Sequence, residues 1–146
     1  MSKLCGKNGK LVILSGTTEV TVAEITQWSM SGITSPLAQK DAAFGDTCAE
    51  FCNVGPPNPG MISAQGNYDP SDTAGQGAIN ALCISGESIT GIRLYEDATQ
   101  YWTCDTANGG EVFITSAQVV SLPRNGIGSW SFEGQVSGAP LKSTST

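Results

Sequence analysis

Nucleophilic, acid–base and metal chemistry are all restricted by the residue inventory. The sequence contains no histidine, which removes the commonest general base, the commonest metal ligand and the Ser-His-Asp and Cys-His arrangements together. Five cysteines remain, Cys5, Cys48, Cys52, Cys83 and Cys104. Cys48 and Cys52 are four apart, so two thiolates could share one helix face, but no second CxxC-like pair completes a zinc set. Reduced thiols used for packing are the expected reading, and an odd number cannot all pair internally. Glu96 and Asp97 read as a solvated turn rather than a glycosidase pair. Neither Gly91-Ile92-Arg93 nor Gly126-Ile127-Gly128 carries the Lys-Ser/Thr of a phosphate loop. No catalytic residue, metal site or cofactor is expected, and the chain is read as not an enzyme.

The aromatic residues offer another chemistry. Trp28, Tyr68, Tyr95, Tyr101, Trp102 and Trp130 could stack on sugar rings, yet Trp28 and Trp130 sit in alternating segments as core residues do, and core is the stronger reading for Trp28, Trp130 and Phe132. Net charge excludes a further class. Thirteen acidic against seven basic residues give −6, which repels rather than grips nucleic acid phosphates.

The elements that carry these residues are mostly strands. At 146 residues the chain has the length of one domain, and 39% hydrophobic residues with 18 glycines are too apolar for disorder and too interrupted for long helices. The strongest apolar run, Leu11 to Leu14, is far short of the roughly 20 residues of a membrane span. Met1 to Cys5 lacks the roughly 7 to 15 residue apolar stretch of a secretory signal, so synthesis in the cytoplasm, without a membrane anchor, is expected. Lys10–Ser15 and Glu19–Val22 around Gly16-Thr17 predict a hairpin. Glu24–Ser31 puts Trp28 and Met30 on one face and Ile25 on the other, the pattern of a strand with a twist or bulge.

Between Ser35 and Gly60 the periodicity fails, and Pro36, Pro57 and Pro59 with Gly45, Gly55 and Gly60 predict a long loop. Within it Asp46 or Thr47 is placed to cap a helical turn carrying Cys48, Phe51 and Cys52. Strand character returns at Met61–Tyr68. Ser71 or Asp72 then caps the one clear helix, expected over Thr73–Cys83 and burying Ile79, Leu82 and Cys83. Further strands are expected at Ser88–Glu96, Thr99–Cys104, Glu111–Leu122 and Ser129–Val136. The last of these alternates most clearly, with Trp130, Phe132 and Val136 on its buried face. The Ser/Thr-rich end, about 139–146, reads as a loose tail.

Taken in order, these elements resemble the major tail tube protein of long-tailed, non-contractile bacteriophages. The likeness rests on the N-terminal hairpin, the strand Ile25-Thr26-Gln27-Trp28-Ser29-Met30 and the polar stretch Lys40-Asp41-Ala42-Ala43-Phe44-Gly45-Asp46. It continues through Ile62-Ser63-Ala64-Gln65-Gly66-Asn67-Tyr68-Asp69, the single helix, and Ser129-Trp130-Ser131-Phe132-Glu133-Gly134. The Cys48–Gly60 segment departs from the family pattern.

The resemblance implies a mainly β fold, a β-sandwich or barrel with one flanking α-helix, forming a single domain over 1–146 with a long loop at about 35–60. It implies a structural virion protein whose hexameric rings stack into the tail tube, with tape-measure, distal tail and terminator proteins as partners and DNA passing through without specific binding. Leu37, Phe44 and Phe51 become candidates for contact with an adjacent ring. Six copies at −6 place −36 on a ring, and Glu19, Glu24, Glu96 and Glu111 become candidates to face the lumen. Other readings are an inner tube or terminator of a contractile injection machine, and a ligand-binding or adhesin sandwich.

Overall fold

The computed structural model describes residues 6–41, 44–45 and 47–144. Cys5, Asp46, Ala42 and Ala43 of the polar stretch, and the last two residues of the expected tail lie outside them. Two antiparallel sheets face one another. The first holds β1 (Lys10–Ser15), β2 (Thr18–Thr21), β8 (Gly91–Tyr95), β9 (Gln100–Asp105) and β12 (Leu141–Thr144), in the order β12-β9-β8-β1-β2. The second holds β3 (Ile25–Ser31), β6 (Met61–Asn67), β7 (Ser88–Ile89), β10 (Glu111–Ser121) and β11 (Ser129–Ser137), in the order β3-β6-β11-β10-β7. A third, two-stranded ribbon pairs β4 (Leu37–Gln39) with β5 (Phe51–Asn53), and α1 (Gln76–Ser85) packs beside β10 and β7.

Alternation builds the core. Leu11, Ile13, Ile92, Leu94 and Cys104 from the first sheet meet Ile62, Ala64, Val112, Trp130, Phe132 and Val136 from the second, with Ile79 of α1. Trp130 and Phe132 are almost completely buried with ring centroids 5.5 Å apart. The Trp130 indole Nε1–H donates to Asn80 Oδ1 at 2.8 Å, so the one polar atom of that side chain is satisfied by the helix. Trp28 is half-buried against the same cluster.

The expected β1–β2 hairpin forms, with Gly16 at φ 66 in its two-residue turn. β3 carries the expected irregularity, a register shift between Ile25 and Gln27 against β6. Its partner there, Gly66, lies so close under the Glu24 carbonyl that a Cβ would overlap it. The helix starts three residues later than expected. Gly75 and Gly77 weaken the first turn, and Asp72 serves as a carboxylate just outside it, accepting from the backbone N–H of Gly75 and Gln76, each at 3.1 Å. It also accepts from Ala23 N–H at 2.8 Å. Left-handed Gly86 ends the helix.

Three expectations are corrected. Cys48, Phe51 and Cys52 do not share a helical turn, because Phe51–Asn53 is extended and pairs with Leu37–Gln39. Ser88–Glu96 is not one strand: β7 pairs with β10 in the second sheet and β8 with β1 and β9 in the first, so the chain changes sheets at Thr90. Residues Leu141–Thr144 are an edge strand rather than a loose tail, paired with β9 from Leu141↔Thr103 to Thr144↔Gln100. The Lys142 ammonium 3.0 Å from Glu96 fixes it there.

Replacing Trp130 with Ala should lower unfolding stability by about 3–5 kcal/mol, measured by denaturant unfolding of the monomer. An unchanged midpoint would contradict its place in the core.

Candidate assembly interface

A sheet strand needs hydrogen-bonding partners on both sides, and among the described residues the second sheet lacks them at both edges. β3 pairs with β6 alone. At the other edge, β10 is eleven residues long but β7 covers only Val112 and Phe113, leaving the Ile114–Ser121 side without a strand. Two bare edges on opposite sides of one sheet are templates for pairing with another chain. Val119, Val120, Leu122 and Ile127, exposed along and beyond the β10 edge, add apolar area to it.

The outward face of this sheet is mainly polar, interrupted by the exposed Met61 and Phe113. Residues whose register partners fall there include Gln27, Ser29, Ser63, Gln65, Ser131, Glu133 and Gln135. Two pairs of them bond to each other, Ser29 Oγ with Ser63 Oγ at 2.7 Å and Gln65 Nε2–H donating to Gln27 Oε1 at 3.1 Å. The five strands contain no Lys or Arg. Glu133 lies mid-strand and exposed.

The structure separates the four carboxylates singled out from sequence. Glu111, opposite Ser137, belongs to this polar face and accepts from Ser88 Oγ at 2.8 Å. Glu24, in left-handed conformation at φ 59, lies at the other end of the sheet, where its Oε2 accepts from Asn67 Nδ2 at 3.4 Å. Glu133 stands between them; alternation on β11 marked it as outward-facing, but nothing in the sequence distinguished it from other exposed acids.

Glu19 and Glu96 belong to the first sheet. Glu19 receives the Arg93 guanidinium at 2.7 Å and the Tyr95 hydroxyl at 2.8 Å, above a small cluster of Val12, Tyr95 and Tyr101. Burial, then the bond to Glu19, push the Tyr95 phenol up. Burial opposes the Arg93 charge, but the Tyr95 hydrogen bond and the attraction of Tyr101 and Glu19 outweigh it and hold the guanidinium above its ordinary value. Glu96 accepts from Trp102 Nε1 at 2.7 Å and pairs with Lys142. Both carboxylates are thus engaged in local structure on the opposite layer.

The segment expected as a loop is an arm. Ser31↔Met61 ends the β3–β6 pairing, Thr34↔Asn58 continues it as a bridge, and Leu37↔Asn53 to Gln39↔Phe51 resume it two residues out of step. Gly55 and Pro56–Pro59 take up the shift. The candidates Leu37, Phe44 and Phe51 are all exposed on this arm, as are Ile33 and Val54. An ion pair, Lys40 to Glu50 at 3.3 Å, crosses it.

Solved structures share the fold of this chain. It aligns with the tail of an empty gene transfer agent particle refined with C6 symmetry, at TM-score 0.74 and 17% identity, over 97% of this chain and 99% of that one. The fold is the tail-tube fold. The tail tube of SPP1 aligns at TM-score 0.59 and 17% identity over 97% of this chain and 80% of that one. A sheath/tube terminator of the PVC extracellular contractile injection system aligns at 0.64 and 15% identity, over 98% of each. No family model and no curated protein matches the sequence. The likeness extends over nearly the whole chain and is carried by structure at low identity.

Among the described residues no three His, Cys, Asp or Glu side chains gather as a metal site requires, and no helix is long and apolar enough to cross a membrane. The thiols differ sharply. Cys48 and Cys52 are free and exposed on the arm, whereas Cys104 is buried and its pKa is pushed up to about 11 by burial and then by Asp105. A thiolate is the reactive form, so a maleimide added to the native protein should modify Cys48 and Cys52, and Cys104 only after unfolding. Peptide mass spectrometry reads this, and rapid native labelling of Cys104 would contradict its burial.

Proposed function

We propose that this chain is a structural virion protein, the subunit of hexameric rings that stack into a phage-type tail tube through which DNA leaves the particle. The observation that carries the reading is the pair of bare edges on the second sheet. β3 and β10 run antiparallel, because each of the three intervening pairings is antiparallel. The β3 edge of one copy can therefore continue onto the Ile114–Ser121 edge of the next in antiparallel register, and a ring formed this way uses up both edges. The C6 symmetry of a structure with the same fold supports six copies.

Such a ring turns the polar face of the second sheet inward. Ser29 with Ser63 and Gln27 with Gln65 satisfy each other on it, and it offers no cationic partner to phosphate. Glu24, Glu133 and Glu111 then form three acidic tiers along the bore, and the lumen role passes from Glu19 and Glu96 to Glu133. DNA slides along such a wall without specific binding. The arm, with Leu37, Phe44 and Phe51, reaches an adjacent ring. Tape-measure, distal tail and terminator proteins are the partners this role requires, the virion tail is its location, and the reading includes no catalysis. The likeness to a tube terminator supports a second reading, in which the ring caps a tube instead of extending it.

Negative-stain microscopy of the purified protein over a range of concentrations should show hollow tubes of uniform width. Single rings that never stack would favour the terminator, and persistent monomers would count against both. Lys on an edge strand blocks pairing, so Val119→Lys should leave a folded monomer that forms no rings, seen by sedimentation; normal rings would assign closure to other edges. Shortening the arm between residues 38 and 52 should keep rings and abolish stacking, and intact tubes from that variant would remove the arm from the inter-ring contact.

A further inference from the structure

At the base of the arm a cleft of about 430 Å3 opens between Ile33, Pro56, Pro57, Pro59, Ala139 and Pro140. Its lining carries no charged side chain, and its four prolines hold their backbone torsions fixed, so its shape exists before anything enters. At the far end of the same arm Phe44 stands in a turn with its side chain fully exposed. It cannot fold back into the cleft of its own copy. Backbone bonds from Val54 N–H to the Pro36 carbonyl and from Lys40 N–H to the Glu50 carbonyl hold the arm as a ribbon, and the four residue steps from Pro36 to Lys40 alone span about 13 Å.

We propose that Phe44 of one copy inserts into the proline-lined cleft at the arm base of a second copy; this rests on the stacked-ring reading and names the receiving site for the arm. Charge favours it. Each copy carries −6, so two copies approach best where charge is absent or already paired. The cleft lining is uncharged, so Asp41 and Asp46 on either side of Phe44 meet no like charge in it. Geometry favours it as well. Knob and cleft occupy different parts of the surface, so the contact is heterologous: a copy that receives Phe44 still presents its own, and the contact repeats without closing on a dimer.

Size identifies the occupant as a copy held in a ring. One aromatic side chain buries about 150–250 Å2, well below the roughly 1,200 Å2 at which stable pairwise interfaces begin. Six such contacts made together by two facing rings reach that range, and their simultaneous engagement strengthens each of them.

The test uses the full chain with p-benzoylphenylalanine at position 44, assembled from mixed isotope-labelled and unlabelled copies, irradiated and mapped by mass spectrometry. Cross-links between copies to the segments around Ile33, Pro56–Pro59 or Ala139–Pro140 are expected. Phe44→Ala should melt as the parent does and still form rings, while the concentration needed for tubes rises at least about tenfold, the effect of losing about 1.4 kcal/mol per subunit. Ala139→Trp, which fills the cleft from its exposed rim, should give the same defect with Phe44 intact. Tubes from both variants at the parental concentration, or cross-links to another surface within normal tubes, overturn this inference and leave the tube reading standing. If the unsubstituted protein forms no tubes, both fall together.

Discussion

Buried backbone groups must find partners, and one side chain meets that demand where three segments converge. Gln76, almost wholly buried, donates from Nε2 to the carbonyls of Ala23 at 2.9 Å and Asn67 at 2.8 Å, and its Oε1 accepts from Asp69 N–H at 3.0 Å. Asp72 completes the junction by accepting from Ala23 N–H. Neither β2 nor β6 could end where it does with these amide groups left bare, since each would cost about 1–3 kcal/mol. The junction thereby fixes where the chain leaves the first layer to begin β3 and where β6 ends. Everything beyond, the bare β3 edge and the arm that extends the β3–β6 ribbon, inherits its direction from it.

The two sheets divide their duties. The first spends its charged and aromatic side chains on itself, with Glu19, Arg93, Tyr95 and Tyr101 interlocked on one face and Glu96, Trp102 and Lys142 around its last strand. The second sheet holds no basic residue, and on its outward face Ser29 bonds Ser63 and Gln65 bonds Gln27. A face without cations, with part of its hydrogen-bonding capacity already used, holds a polyanion weakly.

Much of this fold is legible in the sequence wherever local alternation coincides with burial. Trp130, Phe132 and Val136 mark β11, Gly16-Thr17 marks the first turn, and the conflict between Ile25 and Trp28 marks the β3 bulge. The arm was not legible, because its pairing joins residues such as Leu37 and Asn53 across a segment where prolines break both periodicity and register. Leu141–Thr144 looks like a tail because Ser and Thr carry no burial pattern, and its order comes from partners on β9 that lie far away in the chain. Leu37, Phe44 and Phe51 could be chosen because large apolar residues in an irregular segment need a reason. Glu133 could not, since its distinction is to stand on a sheet from which Lys and Arg are missing, a property of five strands gathered from across the sequence.

The pairings inside the second sheet are unequal in regularity. β6 meets β11 in unbroken register from Asn67↔Ser129 to Met61↔Gln135, whereas the irregularities sit on the outer strands, at Ile25/Gln27 in β3 and at Ile114/Ser116 and Gln118/Ser121 in β10. Bulges bend and twist a strand, so the sheet is stiff at its centre and turned at its margins. In a closed ring the backbone bonds at each joint are the same in number whether five, six or seven copies meet. Stoichiometry, and with it the diameter of the channel, is then a matter of the angle those few inserted residues impose and not of how strongly neighbours adhere.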